Sequence, residues 1–143
     1  MAVIGRLTRV SNAIDRRLAN SFAKSGIDGA SFDVLATLLR SGAPHSLSPA
    51  ALADAAMVTS SAIAQRLNKL SAEGLVVRTR DATDGRSIRV GLTEKGRELV
   101  EAAVPRHLAT EAELLEGIEP ADRLTLIRLL QTINRNASPS SLK

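Results

Sequence analysis

Residues 47–96 read LSPAALADAAMVTSSAIAQRLNKLSAEGLVVRTRDATDGRSIRVGLTEKG, and this stretch decides the fold. Its first half contains two helix starts, because Ser48-Pro49 and Thr59 place a capping hydroxyl before a run of helix-forming residues. The second run carries an apolar stripe at helical spacing, formed by Ile63, Leu67 and Leu70. Two short helices joined by a tight turn predict a helix-turn-helix.

The periodicity changes after Gly74. Residues 75–80 are rich in β-branched side chains, residues 81–85 have the composition of a turn, and residues 88–92 alternate apolar with small or charged side chains. We interpret this segment as a β-hairpin that directly follows the second helix. A helix-turn-helix with a basic hairpin behind it is the layout of a winged helix.

The flanking sequence favours helices. With two Phe and no Tyr or Trp, the core must come from Leu, Ile, Val and Ala, which suit packed helices. Ser31 is our predicted N-cap for a helix ahead of the helix-turn-helix. We therefore predict a mostly α fold with a small β-hairpin wing, in one domain, 1–143. Its parts are a winged helix-turn-helix DNA-binding lobe (30–93), dimerisation helices (1–25 and 94–137) and a flexible tail (138–143).

Composition argues against several classes of protein. There is no Cys, and two isolated His cannot supply a tetrahedral metal site, so we expect no metal and no cofactor. No Gly-rich phosphate loop or catalytic constellation is present, which argues against an enzyme. No apolar run reaches 18 residues and no signal-peptide pattern precedes the first helix, so we expect a soluble cytoplasmic protein without a membrane partner.

Charge is distributed unevenly along the chain. The net charge is +4, residues 60–90 carry +3, and residues 94–130 carry −3. A basic middle segment is typical of a surface that meets a polyanion, here double-stranded DNA. An ordinary solvated surface of mixed charge is the alternative that charge alone leaves open.

The outer face of residues 60–73 offers side chains that suit the major groove, where Arg pairs with guanine and Gln or Asn with adenine. Arginines crowd the hairpin, and we expect Arg86 to enter an A·T-rich minor groove. The local alternative is that Asp84 pairs with Arg86 or Arg89 and stiffens the turn. The candidate DNA-contacting residues are Ser60, Ser61, Gln65, Arg66, Lys69, Arg78, Arg80, Asp84, Arg86 and Arg89; Asn68 lies on the same helix face.

The middle third of the chain resembles the MarR family of bacterial transcriptional regulators. The matching positions are Leu47-Ser48-Pro49, Leu52-Ala53, Thr59-Ser60-Ser61-Ala62-Ile63, Leu70, Glu73-Gly74-Leu75-Val76, Arg78, Asp81, Asp84-Gly85-Arg86, Val90 and Leu92-Thr93-Glu94-Lys95-Gly96. The resemblance implies a homodimer with a recognition helix at 60–73 and a wing at 81–87. Gly85 departs from the Asp-Arg-Arg that the family often has, and we expect the missing arginine to lower minor-groove affinity.

The terminal helices also predict association. They carry more Leu, Ile and Val than a winged-helix core of roughly 90 residues could bury, and exposed apolar stripes are usually interfaces. A two-fold dimer would place two recognition helices about 34–36 Å apart and would select a pseudo-palindromic operator. The alternative is a monomer whose extra helices cover each other.

Relatives of this family release DNA when a small compound lodges beside the dimerisation helices, so the resemblance implies a small anionic or aromatic effector. Arg9, Arg16, Arg17 and His107 are the candidate effector-binding residues. The function that we expect is therefore a DNA-binding repressor that acts as a homodimer. The competing function is a winged-helix module for protein–protein contacts, or an anti-repressor, without sequence-specific DNA binding.

Overall fold

The computed structural model describes residues 1–138. The helices are α1 (Ala2–Lys24), α2 (Gly29–Arg40), α3 (Pro49–Ala56), α4 (Ser60–Ala72), α5 (Glu94–Leu114) and α6 (Pro120–Ala137), and the strands are β1 (Ser46–Leu47), β2 (Val76–Arg80) and β3 (Ile88–Leu92). The mostly α fold with a β wing is confirmed. The tail predicted at 138–143 lies, except for Ser138, outside the described residues. No helix within residues 1–138 is both long and apolar enough to cross a membrane.

Side-chain caps start four of the helices, of which α2, α3 and α4 precede the wing. Ser48 Oγ accepts from the Ala51 N–H at the start of α3, and Thr59 Oγ1 accepts from the Ala62 N–H at the start of α4, both at 3.1 Å. The predicted cap at Ser31 is wrong. Asp28 caps α2 instead, because its carboxylate accepts from the Ser31 N–H at 2.8 Å and Ser31 lies inside the helix, buried.

The strands form a three-stranded antiparallel sheet in the order β1-β3-β2. Strands β2 and β3 pair from Val76 opposite Leu92 to Arg80 opposite Ile88, so the predicted hairpin is confirmed. Strand β1, which lies opposite Gly91 and Val90, was not predicted. Its two residues are too few to show a two-residue period, so the pattern gave no signal there.

The chain divides within α5 into two compact units, residues 1–111 and the residues from 112 onward. The first unit contains the hydrophobic core, in which α2, α3 and α4 pack against the sheet and the first half of α5. The most deeply buried large side chains are Val34, Leu35, Leu38, Leu52, Ile63, Leu67, Leu70, Val90 and Val100.

The second unit contains α6, which begins at Pro120 and buries none of its described residues. Arg123 ties its first turn to the preceding turn, donating from Nε to the Ile118 carbonyl at 2.8 Å and from Nη2 to the Leu115 carbonyl at 3.0 Å. The Arg123 guanidinium therefore hydrogen-bonds two carbonyls of the turn that precedes α6, one of which, that of Leu115, also accepts from the Ile118 N–H.

Helix α5 begins in direct backbone contact with the residue that precedes β2. Thr93 caps it, because its Oγ1 accepts from the Gly96 N–H at 3.0 Å, and the Thr93 N–H donates to the Leu75 carbonyl at 3.2 Å. A Cβ at position 96 would lie 2.0 Å from the Leu75 carbonyl oxygen. Only glycine permits this approach.

Candidate nucleic-acid interface

The polar face of α4 follows from the way its apolar face is buried. Ile63, Leu67 and Leu70 are at most 2% exposed. Because a helix turns every 3.6 residues, the side chains of Ser61 and Gln65 lie on the opposite face, and both residues are exposed. Ser60 and Asn68, on the flank nearest the wing, are exposed as well. The helix thus presents small hydroxyl and amide groups.

The wing is joined to this helix by a side-chain hydrogen bond. Arg78 and Arg80 lie opposite Val90 and Ile88, so they share the face of the hairpin that carries the buried Val90. Arg78 Nη2 donates to Asn68 Oδ1 at 2.7 Å. Helix α4 and the wing therefore form one continuous surface, which we call the helix–wing surface: the exposed side of α4 together with residues 76–92.

Arg89 lies on the other face of the hairpin. Its Nη2 donates to the Ser46 carbonyl at 2.7 Å, its Nε to Ser46 Oγ at 3.2 Å, and its Nη1 lies 3.8 Å from Asp81 Oδ2. Alternation along β3 causes this separation, because successive side chains point to opposite faces. The four wing arginines are thus not equivalent, and Arg89 fastens the hairpin to β1.

The turn of the wing is organised by two carboxylates. Asp81 Oδ1 accepts from the N–H and the hydroxyl of Thr83, at 2.8 and 2.7 Å. Asp84 accepts from the Arg86 N–H at 3.0 Å and from Ser87 Oγ at 2.8 Å. These hydrogen bonds, above all those from the Thr83 and Ser87 hydroxyls, hold the pKa of both carboxyls below the usual range.

Asp84 therefore stiffens the turn by accepting hydrogen bonds from the Arg86 N–H and the Ser87 hydroxyl, rather than through an ion pair with an arginine side chain. Arg80 Nη1 donates to the Gly85 carbonyl at 3.3 Å and braces the same turn from the adjoining strand. Arg86 is exposed at the turn, and its guanidinium has no hydrogen-bond partner within residues 1–138. The turn thus offers one unengaged cation.

Two basic residues lie on the flank of α4 that faces away from the wing. Lys69 Nζ donates to Asp28 Oδ2, while the other oxygen of that carboxylate caps α2. The hydrogen bond to Lys69 is the main cause of a lowered pKa of Asp28, and it raises the pKa of Lys69. Arg66, one turn earlier, is half-buried. The N-cap residue of α2 therefore holds the Lys69 ammonium group.

The candidate effector residues do not come together. His107 lies in a cavity of about 350 Å³ between α2 and α5, stacked on Phe22 and close to Phe32, with its Nε2 2.9 Å from Glu111 Oε1. Its Nδ1 is buried and lacks a hydrogen-bond partner among the described residues. Arg9, Arg16 and Arg17 are exposed on α1, and none of them lines this cavity. The arginine that does is Arg40.

Comparison with known proteins identifies the kind of protein. A model of the MarR family matches residues 25–87. The HTH-type transcriptional regulator PecS of Dickeya dadantii is 35% identical over 136 residues, which cover 95% of this chain and 82% of PecS. The chain belongs to the MarR family. As a MarR-family member it is a transcriptional regulator.

Solved MarR-family structures share the fold over nearly the whole chain. A mutant of MarR from E. coli in complex with operator DNA has a TM-score of 0.81 and 26% identity, covering 91% of this chain and 92% of that one. BpsR of Bordetella bronchiseptica, whose DNA binding is regulated by 6-hydroxynicotinic acid, has a TM-score of 0.82 and 26% identity, with 92% of each chain covered.

Sequence reasoning missed two residues that matter in this MarR-family chain. Ser46, the partner of Arg89, lies in a strand too short to recognise from sequence. Arg40 gave no signal in the sequence, because the packing of α2 against α5 brings it to the cavity. The charge near His107 was instead assigned to α1, whose arginines are numerous but do not line the cavity.

Proposed function

We propose that the chain is a sequence-specific repressor that binds double-stranded DNA as a homodimer on a pseudo-palindromic operator. The observation that carries the proposal is the hydrogen bond of 2.7 Å from Arg78 to Asn68, which joins α4 and the wing into the helix–wing surface. A major-groove element and a minor-groove element must keep a fixed separation to bind adjacent grooves together. MarR from E. coli, with this fold, has been crystallised with operator DNA.

Roles follow from what each side chain is free to do. Gln65 and Ser61 are exposed at the centre of the α4 face and read base edges, since Gln pairs bidentately with adenine. Arg86 enters the minor groove, and Ser60 and Arg66 hold phosphates. Arg78, Arg80 and Lys69 also hold phosphates, through the N–H donors that their hydrogen bonds to Asn68, Gly85 and Asp28 leave available. We assign Asp84 and Arg89 to positioning the wing, because their carboxylate and guanidinium are already engaged within it.

Residues 30–93 form the DNA-binding lobe in this proposal, and residues 1–25 and 94–137 form the dimer. The support comes from α6, where Leu124, Ile127 and Leu130 are 70%, 52% and 41% exposed. Helix α1 exposes Val3, Ile4 and Val10 as well. Apolar stripes of this extent mark protein interfaces. A dimer would present two helix–wing surfaces to one operator.

We also propose that a small aromatic acid controls DNA binding from the α2–α5 cavity. The cavity combines aromatic walls, Phe32 and His107, with the Arg40 guanidinium and with the carboxylates of Asp33 and Glu111, and BpsR is regulated by an aromatic acid. Titration of the operator complex with 6-hydroxynicotinic acid, followed by fluorescence anisotropy, tests this. Release by millimolar acid from the parent protein, but not from Arg40→Ala, supports the assignment; no release from either protein contradicts it.

Selection of bound sites from a random DNA pool tests the main proposal. We expect an inverted repeat with half-sites about one helical turn apart. Affinity for the selected site should fall by roughly 10³–10⁵ between 50 and 200 mM salt, if about 6–10 phosphates are contacted. A protein that enriches no sequence and binds no duplex at low salt would disprove the proposal, and a protein-contact module would then be the better assignment.

Single substitutions distinguish residues that contribute to overall DNA affinity from residues that recognise a base. Arg86→Ala should weaken binding to most sequences, whereas Gln65→Ala should change the preferred base at one position of each half-site. Arg97→Ala is the matched control, because it removes one positive charge from the exposed side of α5. If Arg97→Ala weakened binding as much as Arg86→Ala, net charge rather than the wing would account for affinity.

A further inference from the structure

The turn between α3 and α4 contains a side chain that the fold does not require. Met57, the C-cap of α3, has a left-handed backbone with φ 53° and ψ 44°. Its side chain is 85% exposed. Left-handed backbone is costly for a residue with a Cβ, and an exposed thioether gains nothing from burial. The position therefore combines two unfavourable features.

Other helix ends of the same chain show the ordinary solution. The left-handed residues that follow α1, α2, α4 and α5 are Gly26, Gly42, Gly74 and Gly117, with φ between 71° and 79°. Among the described residues, α3 alone ends on a left-handed residue that is not glycine. The geometry of the turn is thus common, but the choice of residue is not.

The turn is fixed by its backbone and by Val58. The Met57 N–H donates to the Asp54 carbonyl and the Val58 N–H to the Ala53 carbonyl, each at 3.1 Å, in the pattern of a Schellman cap. Val58 packs against the hydrophobic core. The Met57 side chain takes part in neither set of contacts. The turn therefore does not explain why position 57 is a methionine.

The position of Met57 suggests what the side chain meets. It precedes the Thr59 cap by two residues, and the recognition helix of a helix-turn-helix points its N-terminal residues at base edges. The neighbouring candidates Ser60, Ser61 and Gln65 are polar and suit hydrogen-bonding groups, while the apolar groups beside them, the Thr59 methyl and Ala64, are shorter than a methionine side chain. An exposed, flexible, apolar side chain beside them supplies the contact that the methyl group needs.

We propose that Met57 is a specificity-determining residue that contacts a thymine methyl group in each operator half-site. This inference rests on the proposed DNA binding and deepens it, since it names the chemical group that is read. The Schellman cap sets the backbone conformation, and Met57 is exposed there while Val58 packs against the core.

The test removes the methyl group from the DNA and the side chain from the protein. Each thymine of the selected operator is replaced, symmetrically in both half-sites, by deoxyuridine, which pairs identically but lacks the C5-methyl. Binding by the parent protein should weaken at one position, by about fourfold for each half-site, the value expected for loss of one buried methyl group. Met57→Gly should bind thymine and deoxyuridine operators equally.

Three controls accompany this cycle. Met57→Leu keeps an apolar side chain and should retain the discrimination. His45→Gly replaces the other non-glycine residue with positive φ, φ 55°, and should retain it too. Thermal unfolding should give Met57→Gly a Tm no lower than that of the parent protein, which establishes that any loss of discrimination is not caused by misfolding. Met57→Asn provides a second variant, because Asn also tolerates left-handed backbone.

The outcomes separate this inference from the function beneath it. A parent protein that binds no DNA overturns both. A parent protein that binds its operator but is insensitive to deoxyuridine at every thymine, or a Met57→Gly protein that keeps the parent's sensitivity, overturns the role of Met57 alone.

Discussion

Helices α4 and α6 are built alike and differ in what covers them. Both follow an extended cap residue and both carry Leu and Ile at helical spacing. In α4, Ile63, Leu67 and Leu70 are at most 2% exposed, whereas in α6 the corresponding Leu124, Ile127 and Leu130 are 41–70% exposed. The apolar face of α4 is therefore buried within one chain, whereas that of α6 is exposed within residues 1–138.

Because of this difference, substitutions in the two helices should affect different properties of the protein. A substitution in the apolar face of α4 acts on folding, because the core closes around that face. A substitution in the apolar face of α6 acts on association, if the proposed dimer is correct. Their polar sides differ as well, because the polar side of α4 is part of the helix–wing surface.

The largest effect is expected from a charge placed on the apolar face of α6. Ile127→Glu should convert the dimer to a monomer and lower operator affinity by about 10²–10⁴, because the two half-sites are no longer bound together. Size-exclusion chromatography with light scattering and anisotropy would measure both. Thr125→Glu, on the opposite side of α6, is the control and should change neither. An Ile127→Glu protein that stays dimeric would place the interface elsewhere.

Truncation of one leucine in each helix tests the comparison directly. Leu67→Ala should lower the free energy of unfolding by about 2–5 kcal/mol, the usual cost of such a cavity, at any protein concentration. Leu124→Ala should be costly only where a partner covers α6, so its effect should be present at protein concentrations that favour the dimer and should shrink as dilution separates the protomers. Urea unfolding at two concentrations measures this. Equal, concentration-independent losses would remove the distinction between the two helices.

A smaller effect concerns the flank of α4 that Asp28 holds. Asp28→Asn keeps a capping side chain for α2 but removes the charge that competes with phosphate for Lys69. Operator affinity should rise by about two- to fivefold, since exposed ion pairs are weak and easily exchanged. Lys69→Gln should lower affinity in the same assay. An unchanged affinity in both variants would remove Lys69 from the DNA contacts.

The same pair predicts a weak dependence of stability on pH. The folded-state pKa of Asp28 is lowered from 3.8, so its contribution is present above that value and is lost as pH falls through the lower folded-state pKa. The pKa of Lys69 is raised from 10.5, so its contribution is lost as pH rises through the higher folded-state pKa. The difference in unfolding free energy between parent and Asp28→Asn should be constant between these limits. A slope near neutral pH would indicate another titrating group.

Local signals in the sequence predicted much of the fold. Ser48 and Thr59 cap the helices that they were expected to cap, and the change of period after Gly74 marks the wing. Ser31 failed because two capping side chains lie three residues apart, and pattern alone does not say which one accepts the N–H. Strand β1 failed because two residues define no period.

The candidate site was harder to predict than the fold. Sequence placed four arginines in the wing but could not assign them to its two faces, which depends on the register of β2 and β3. Arg89 consequently carried the same expectation as Arg86, although it bonds to Ser46. The cavity arginine, Arg40, was missed because a tertiary contact between α2 and α5, rather than spacing, brings it to His107.

The glycine at position 96 has a mechanical consequence. Because a Cβ there would lie 2.0 Å from the Leu75 oxygen, the first turn of α5 touches main chain with no side chain between them. Side chains absorb small displacements by changing rotamer, whereas two peptide backbones in contact do not. A shift of α5 along its axis therefore displaces the backbone at Leu75, directly before β2, by a similar amount. Leu75 lies four residues before Thr79 and five before Arg80 in the sequence.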